Sequence, residues 1–92
     1  MSKMLFDLGA VVATPASLLA LKTANTDPQT LLARHVTGDW GDPGPEAKEL
    51  NQEALNLGNR IMSVYKLTAD ITIWVITEAD RSSTTLLLPE EY

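Results

Sequence analysis

The chain of 92 residues is long enough for one domain and too short for two independent hydrophobic cores. Its hydrophobic fraction of 45% and charged fraction of 21% are ordinary for a globular protein, so the composition excludes a wholly disordered chain. Seven Lys and Arg against twelve Asp and Glu give a net charge of −5, which argues against binding duplex nucleic acid by phosphate neutralisation. The absence of cysteine excludes disulfide bonds, thiolate metal sites and a cysteine nucleophile.

The sequence has no pattern of a membrane or secreted protein. No apolar run approaches the roughly 18 to 20 residues that a membrane-spanning helix needs. Residues 1–7 lack the longer apolar stretch and the small-residue cleavage site of a secretory signal. We therefore predict a cytoplasmic protein with no membrane partner.

The first third of the chain predicts one strand and two helices. Residues 4–12 are apolar and end in β-branched side chains, which favours a strand that Gly9 weakens or bulges. Thr14-Pro15 and Asp27-Pro28 each combine a capping side chain with a proline at the first helical position. The two helices are expected over residues 16–22 and 28–36.

The rest of the chain predicts a third helix and three strands. The helix begins at Pro45 and ends at Gly58, and the apolar residues expected to pack on a sheet are Ala47, Leu50, Ala54 and Leu57. Residues 60–67, 71–77 and 84–88 are rich in β-branched and aromatic side chains and predict an antiparallel meander. We therefore predict a single α+β domain over residues 1–92, ordered β-α-α-α-β-β-β, with the helices on one face of a mostly antiparallel sheet.

The middle run of this meander is apolar on both faces. Ile73 and Val75 alternate with Trp74 and Ile76, which indicates a central strand that is covered on both sides or covered on one side by a partner subunit. A domain of this size has a modest core, so we predict a possible homodimer that covers Trp74 and Ile76.

Residues 35–42, HVTGDWGD, hold the single histidine, two aspartates and a tryptophan. As a site, His35 is a candidate general base or, with Asp39 and Asp42, a candidate metal ligand. The alternative is that His35 ends a helix while the aspartates cap turns. Trp40 either packs back onto the core, which we favour for a small domain, or binds a partner.

The connection at residues 77–85 is the second polar stretch. Arg81 lies there among acids and hydroxyls, as in a clamp for an anion or a nucleotide. The alternative is a hairpin loop in which Arg81 pairs with Glu78 or Asp80. The candidate binding residues of the chain are Trp40, Arg60, Tyr65, Thr77, Glu78, Asp80, Arg81 and Thr84. No glycine-rich phosphate loop and no Ser-His-Asp order is present, and one histidine with two aspartates on a glycine-rich loop is a weak metal signal, so we predict no metal and no cofactor.

Four strings and one residue are distributed over residues 8–92, so that they span nearly the whole chain: LGAVVATP at 8–15, HVTGDWGD at 35–42, Asn51, RIMSVY at 60–65 and IWVITEADRSSTTLLLPEEY at 73–92. Together they resemble a small family of proteins carried on bacterial plasmids and integrative conjugative elements. The resemblance implies a bacterial, cytoplasmic protein of a mobile genetic element. It implies no activity and no catalytic residues.

Four functions remain open at this level. We favour an accessory protein of a mobile genetic element that binds a macromolecular partner, a protein, through its loops and a sheet edge. The second hypothesis is a small hydrolase or nuclease that uses His35, Asp39 and Asp42 with Arg81. The third is a DNA mimic whose acids imitate phosphates. Direct nucleic-acid binding by stacking on Trp40 is the fourth, and it is not favoured.

Overall fold

A computed structural model describes residues 3–92 of the chain. Its strands are β1 (Ala10–Ala13), β2 (Ile61–Lys66), β3 (Thr72–Thr77) and β4 (Ser83–Leu87). Its helices are α1 (Pro15–Thr23), α2 (Pro28–Val36), α3 (Pro45–Leu57) and a short 3₁₀ helix over Pro89–Glu91. The predicted α+β class and element order are confirmed. None of the helices in this described part is long and apolar enough to cross a bilayer.

The four strands form one mixed sheet in the order β1-β4-β3-β2. The last three strands are the predicted antiparallel meander, with Ser63 opposite Val75 and Val75 opposite Leu86. The first strand runs parallel to β4, because the three helices lie between them in the chain and provide the crossover that parallel pairing requires. The edges of the sheet are therefore β1 on one side and β2 on the other.

Strand β1 is shorter than the predicted strand over residues 4–12. It begins only at Ala10, because Gly9 has a φ of +65° and leaves the extended conformation. A side chain at Gly9 would overlap the main chain of Ser82, so the backbone there lies directly against the turn before β4. Leu5 lies against α2 instead, where its amide donates to the Val36 carbonyl over 2.8 Å.

The helix boundaries follow the local chemistry of the chain. The Thr14 hydroxyl accepts from the Ser17 amide over 3.1 Å, and the Asp27 carboxylate accepts from the Gln29 amide over 2.9 Å. Gly58 ends α3 in the left-handed conformation, with a φ of +72°. These capping predictions are confirmed.

The predicted inner face of α3 is wrong for its two leucines. Leu50 is 62% exposed and Leu57 is 68% exposed, whereas Asn51 and Ala54 are buried. The helix lies along the outer edge of β2, where the Asn51 side chain bonds to the main chain of Met62. This contact turns Asn51 and Ala54 inward and leaves both leucines facing away from the sheet.

All three helices pack on one face of the sheet, as predicted. The main core cluster consists of Leu21, Leu31, Leu32, Tyr65, Ile73, Val75 and Leu86. A second cluster joins Ala54 of α3 to Ile61 of β2 and to Trp40. The register places Ile61 and Tyr65 on the same face as Ile73, so both clusters lie under the helices.

The opposite face of β3 is covered within the chain. The Tyr92 ring lies 5.4 Å from the Trp74 ring, and the 3₁₀ helix over Pro89–Glu91 packs on β3. Ile76 is buried. The alternative that β3 is covered on both sides within the chain is confirmed for Ile76, because the segment after β4 reaches this face. A homodimer that covers Trp74 stays a prediction.

Candidate functional site

His35 lies at the centre of a buried chain of hydrogen bonds. Its Nδ1 is 2.6 Å from Ser63 Oγ, and its Nε2 is 2.9 Å from Thr77 Oγ1. Thr77 Oγ1 is 2.7 Å from Thr84 Oγ1, which donates to the Leu8 carbonyl over 2.7 Å. All four side chains are fully buried. The structure thus brings three predicted site residues together, but it does so inside the core.

The hydrogen-bond chain fixes the tautomer of the imidazole. Thr84 uses its single hydroxyl proton on the Leu8 carbonyl, so Thr77 must donate to Thr84. Thr77 then has only a lone pair for His35, whose Nε2 therefore carries the proton. The remaining nitrogen, Nδ1, accepts from Ser63. His35 is a neutral imidazole in which both nitrogens are used.

Burial lowers the pKa of His35 to about 4, and the positive charge of Arg81 adds to the effect. A neutral histidine bonded to a serine is also the arrangement of a base and its nucleophile. Here neither His35 nor Ser63 is accessible to solvent, so no substrate reaches the pair. The geometry therefore describes a structural histidine.

Trp40 fills the space beside this histidine. It is 5% exposed, and its ring lies 6.0 Å from that of His35 and 6.2 Å from that of Phe6. The Phe6 ring meets His35 edge-on at 5.1 Å. The prediction that Trp40 packs onto the core is confirmed, so this residue offers no exposed ring for a partner or a base. Residues 38–44, which carry it, are called the Trp40 loop below.

Asp39 points away from His35. Its carboxylate accepts from Arg34 Nε over 2.7 Å and from the second guanidinium nitrogen over 3.2 Å, which lowers the pKa of Asp39. The Tyr65 hydroxyl donates to the Asp39 carbonyl over 2.6 Å, and the Arg34 guanidinium stacks 4.4 Å from the Tyr65 ring. Burial raises the pKa of Tyr65 to about 12. These contacts attach the Trp40 loop to α2 and β2.

The candidate catalytic residues do not converge. Asp42 is exposed, and its amide donates to the Val64 carbonyl over 2.8 Å. His35 is fully buried, and Asp39 pairs with Arg34 at the surface. Within residues 3–92, no three His, Asp or Glu side chains are grouped so that they could hold a metal ion. The hydrolase or nuclease hypothesis gains no support from this geometry.

Arg81 binds main-chain carbonyls. It donates to the carbonyls of Asn59, Ala54 and Glu78 over 2.7, 3.0 and 3.1 Å, and also to that of Ala79. The alternative that it pairs with the carboxylate of Glu78 or Asp80 is wrong, because these carboxylates are bonded to Arg60 and to the Ser82 amide. A cation at the Ala54 carbonyl compensates the carbonyl end of α3. Most of its donors are used in this way, so little remains for an anion.

The remaining candidates lie on the surface or in the core. Arg60 donates to the Tyr92 hydroxyl over 2.6 Å and pairs with Glu78 over 3.3 Å, on the face that carries Trp74. Asp80 is exposed and accepts from the Ser82 amide over 3.0 Å. The predicted binding residues buried in the core are Trp40, Tyr65, Thr77 and Thr84. The two polar stretches touch through His35 and Thr77, but no cavity lies between those side chains.

The outer edge of β2 is closed by groups that the sequence did not identify. The Asn51 side chain donates to the Met62 carbonyl over 2.7 Å and accepts from the Met62 amide over 3.0 Å. The Val64 amide donates to the Trp40 carbonyl over 2.9 Å, and Gly41 forms a parallel bridge with Val64. The available signal was the spacing of Asn51 with Ala47 and Ala54, which places an amide on the inner face of α3.

No comparable cover lies on the outer edge of β1 among residues 3–92. The Ala10 amide donates to the carbonyl of Ser82, directly before β4, and the Thr14 amide donates to the Leu86 carbonyl, each over 3.0 Å. Residues of a parallel strand point their amides and carbonyls alternately to the two sides, so Val11 and Ala13 direct theirs away from β4. Val11 is 46% exposed and Val12 is 50% exposed.

The outer face of α3 is the second exposed apolar surface. Leu50 and Leu57 lie on it, and an open depression of about 500 Å³ adjoins Leu50, lined also by residues 43–47. Glu46, Glu49 and Glu53 of the same helix are exposed. In the described part of the chain, the two ion pairs are Arg34–Asp39 and Arg60–Glu78, so the acids of α3 have no cationic partner there.

Comparison with protein-family profiles, with characterised proteins and with solved structures found no significant match to this chain. The resemblance to plasmid-borne and conjugative-element proteins therefore stays a prediction.

Proposed function

We propose that the protein works by binding a protein partner, and that the outer face of α3 receives a basic, amphipathic segment of that partner. The observation that carries the proposal is the pair Leu50 and Leu57, both more than 60% exposed on a helix with three exposed acids. The resemblance to proteins of mobile elements supports a partner encoded by a plasmid or conjugative element.

The two leucines form one apolar row. They are seven residues apart, which is two helical turns and about 10 Å along the axis, so they lie on the same side of α3. A single exposed leucine is ordinary on a protein surface. Two aligned leucines beside a depression suit the apolar anchors that an amphipathic segment presents every three to four residues.

The acidic charge of α3 indicates which kind of partner segment fits its outer face. The helix carries Glu46, Glu49 and Glu53 against Lys48, so its exposed side is acidic, and the whole chain has a net charge of −5. Lys or Arg side chains around an apolar anchor complement this surface, and another acidic chain is repelled by it. A basic partner segment therefore fits this face better than a second copy does.

The proposal is tested by selecting ligands from a display library of random peptides of about 16 residues with the full-length protein as bait. We expect enriched peptides that are basic and carry apolar residues at helical spacing. Their affinity should fall at least about tenfold in the double variant Leu50→Glu and Leu57→Glu, and also when salt rises from about 50 to 300 mM.

The matched control is Leu19→Glu, because Leu19 is a leucine of a helix with similar exposure, 66%, on α1. This variant should bind the selected peptides like the wild type. Selected peptides that are not basic, or that bind the α3 double variant as tightly as the wild type, would contradict the proposal.

A further inference from the structure

We propose that a second copy of this chain pairs with the outer edge of β1, antiparallel and about a two-fold axis, so that the two sheets become one continuous sheet. The surface consists of β1 and the exposed leucines of α1. It is distinct from the α3 face, and the inference does not depend on the function proposed there.

The first argument is the backbone of β1. Val11 and Ala13 direct their amides and carbonyls away from β4, where in residues 3–92 we find no side chain or loop bonded to them. An edge of this kind is a template for another strand. Proteins that stay monomeric protect such edges with charged residues, proline, a bulge or a very short strand. The sequence AVVA of Ala10–Ala13 has none of the first three, and its length of four residues is the one protective feature of this edge.

The second argument is the side chains around that edge. Val11 and Val12 are about half exposed, and Leu18 and Leu19 of the adjoining helix are 48% and 66% exposed. Pairing of two four-residue strands alone buries less than the roughly 1,200 Å² of a typical stable interface. Because α1 begins two residues after β1, its exposed leucines are the apolar side chains that follow the strand most closely in the chain, and we expect a dissociation constant of about micromolar order.

The third argument identifies the occupant as a second copy. Residues 8–21 contain no charged side chain, although the chain as a whole carries −5. Two acidic copies repel each other least where both carry the fewest charges, and this uncharged stretch includes β1 and most of α1. One acid reaches its margin, since the Glu91 carboxylate accepts from the Thr14 hydroxyl just after the end of β1. A partner attracted by charge gains nothing there and is drawn instead to the acidic surfaces.

The pairing is also self-complementary and closed. With the two-fold axis at Val12, the backbone groups of Val11 in one copy face those of Ala13 in the other, and the two Val12 side chains lie opposite each other. The other edge of each sheet, β2, is occupied by Asn51 and the Trp40 loop. Assembly therefore stops at two copies and does not continue as a fibre.

Sedimentation velocity of the full chain over about 1 to 500 µM is the test, since this range spans the expected dissociation constant. The wild type should pass from monomer to dimer. Val12→Lys should remain monomeric at every concentration, because it places two ammonium groups opposite each other across the axis. Circular dichroism should show unchanged secondary structure, since Val12 is half exposed.

The matched control is Leu50→Lys, a change of the same type at an exposed residue of α3, which should dimerise like the wild type. Amide exchange gives a second measurement: the Val11 and Ala13 amides should be slowed at high concentration and not at low. A wild type that is monomeric throughout the range would overturn the inference, as would a Val12→Lys variant that still dimerises. A dimer abolished only by Leu50→Lys would overturn it too, and would place the second copy on the α3 face.

Discussion

The two edges of the sheet differ in whether their outward main-chain groups are hydrogen-bonded. At β2 the outward main-chain groups of Met62 and Val64 are bonded by the Asn51 side chain and by the backbone of the Trp40 loop. At β1 the outward groups of Val11 and Ala13 have no such cover in the part of the chain that the structure describes. The comparison shows one edge that the chain closes for itself and one that residues 3–92 leave uncovered.

Closing the β2 edge uses the residues that look most like a catalytic site in the sequence. His35 bonds to Ser63 of β2, Trp40 packs beside it, and Asp39 is held by Arg34 and Tyr65. Histidine, tryptophan, aspartate and glycine serve here because the loop needs buried hydrogen bonds and unusual backbone angles. The uncharged β1 edge lacks such residue types and attracts less notice in the sequence.

Removing Trp40 should have the largest effect on the covered edge. Trp40→Ala deletes a buried indole between α3 and the His35 region, and substitutions of this kind cost about 3–5 kcal/mol of unfolding free energy. Urea unfolding measures that loss, and amide exchange at Val64 should accelerate because the Trp40 loop detaches from β2. Trp74→Ala, on the other face and only half buried, is the control and should cost less. Equal losses in the two variants would argue against Trp40 as the residue that holds the Trp40 loop on β2.

The pH dependence of stability tests the polar link between α2 and β2. The pKa of His35 is about 4 in the folded protein against an ordinary 6.5, so the unfolded chain binds more protons between these values. The contribution of His35 to the free energy of unfolding is therefore fully present above pH 6.5. It is lost as the pH falls from 6.5 through about 4. The loss reaches about 3 kcal/mol, since one pKa unit corresponds to about 1.4 kcal/mol.

His35→Gln separates this effect from other acid-sensitive groups. Asp39 also has a lowered pKa, because of Arg34, and it contributes at lower pH in the same direction in both proteins. Glutamine keeps a donor and an acceptor but does not titrate. Urea unfolding at several pH values should therefore show a shallower slope between pH 6.5 and 4 for the variant. Parallel curves for the two proteins would show that His35 does not control this range.

Helix caps and strand alternation could be predicted from the sequence, whereas contacts between distant segments could not. Thr14 and Asp27 mark helix starts because a cap involves neighbours within three residues. The meander was predictable because strand alternation depends on each strand alone. The bonds of Arg81 to carbonyls of α3 and of Asn51 to β2 join segments that only the fold brings together.

The wrong assignment of the inner face of α3 also comes from a contact between segments that are distant in the sequence. Hydrophobic spacing assigned Leu50 and Leu57 to the inner face, because large apolar residues usually point to a core. The contact row instead includes Asn51 and Ala54, since a helix lying close to a strand edge needs small side chains and a polar group for the exposed backbone. A leucine row on the outside thus became visible only with the structure.

The smallest expected effect tests how closely the Trp40 loop lies on the β2 edge, by comparing Gly41 of that loop with Gly58 at the end of α3. Gly41 and Gly58 have φ values of +73° and +72°. A side chain at Gly41 would overlap the Val64 carbonyl, whereas one at Gly58 meets nothing within 4 Å. Gly58→Ala therefore costs only the left-handed conformation, about 1 kcal/mol, and Gly41→Ala should cost about 2–3 kcal/mol because the loop must also move off β2. Urea unfolding gives both values, and Val64 amide exchange should accelerate more in Gly41→Ala. Equal costs for the two variants would show that the close approach of Gly41 does not hold this edge closed.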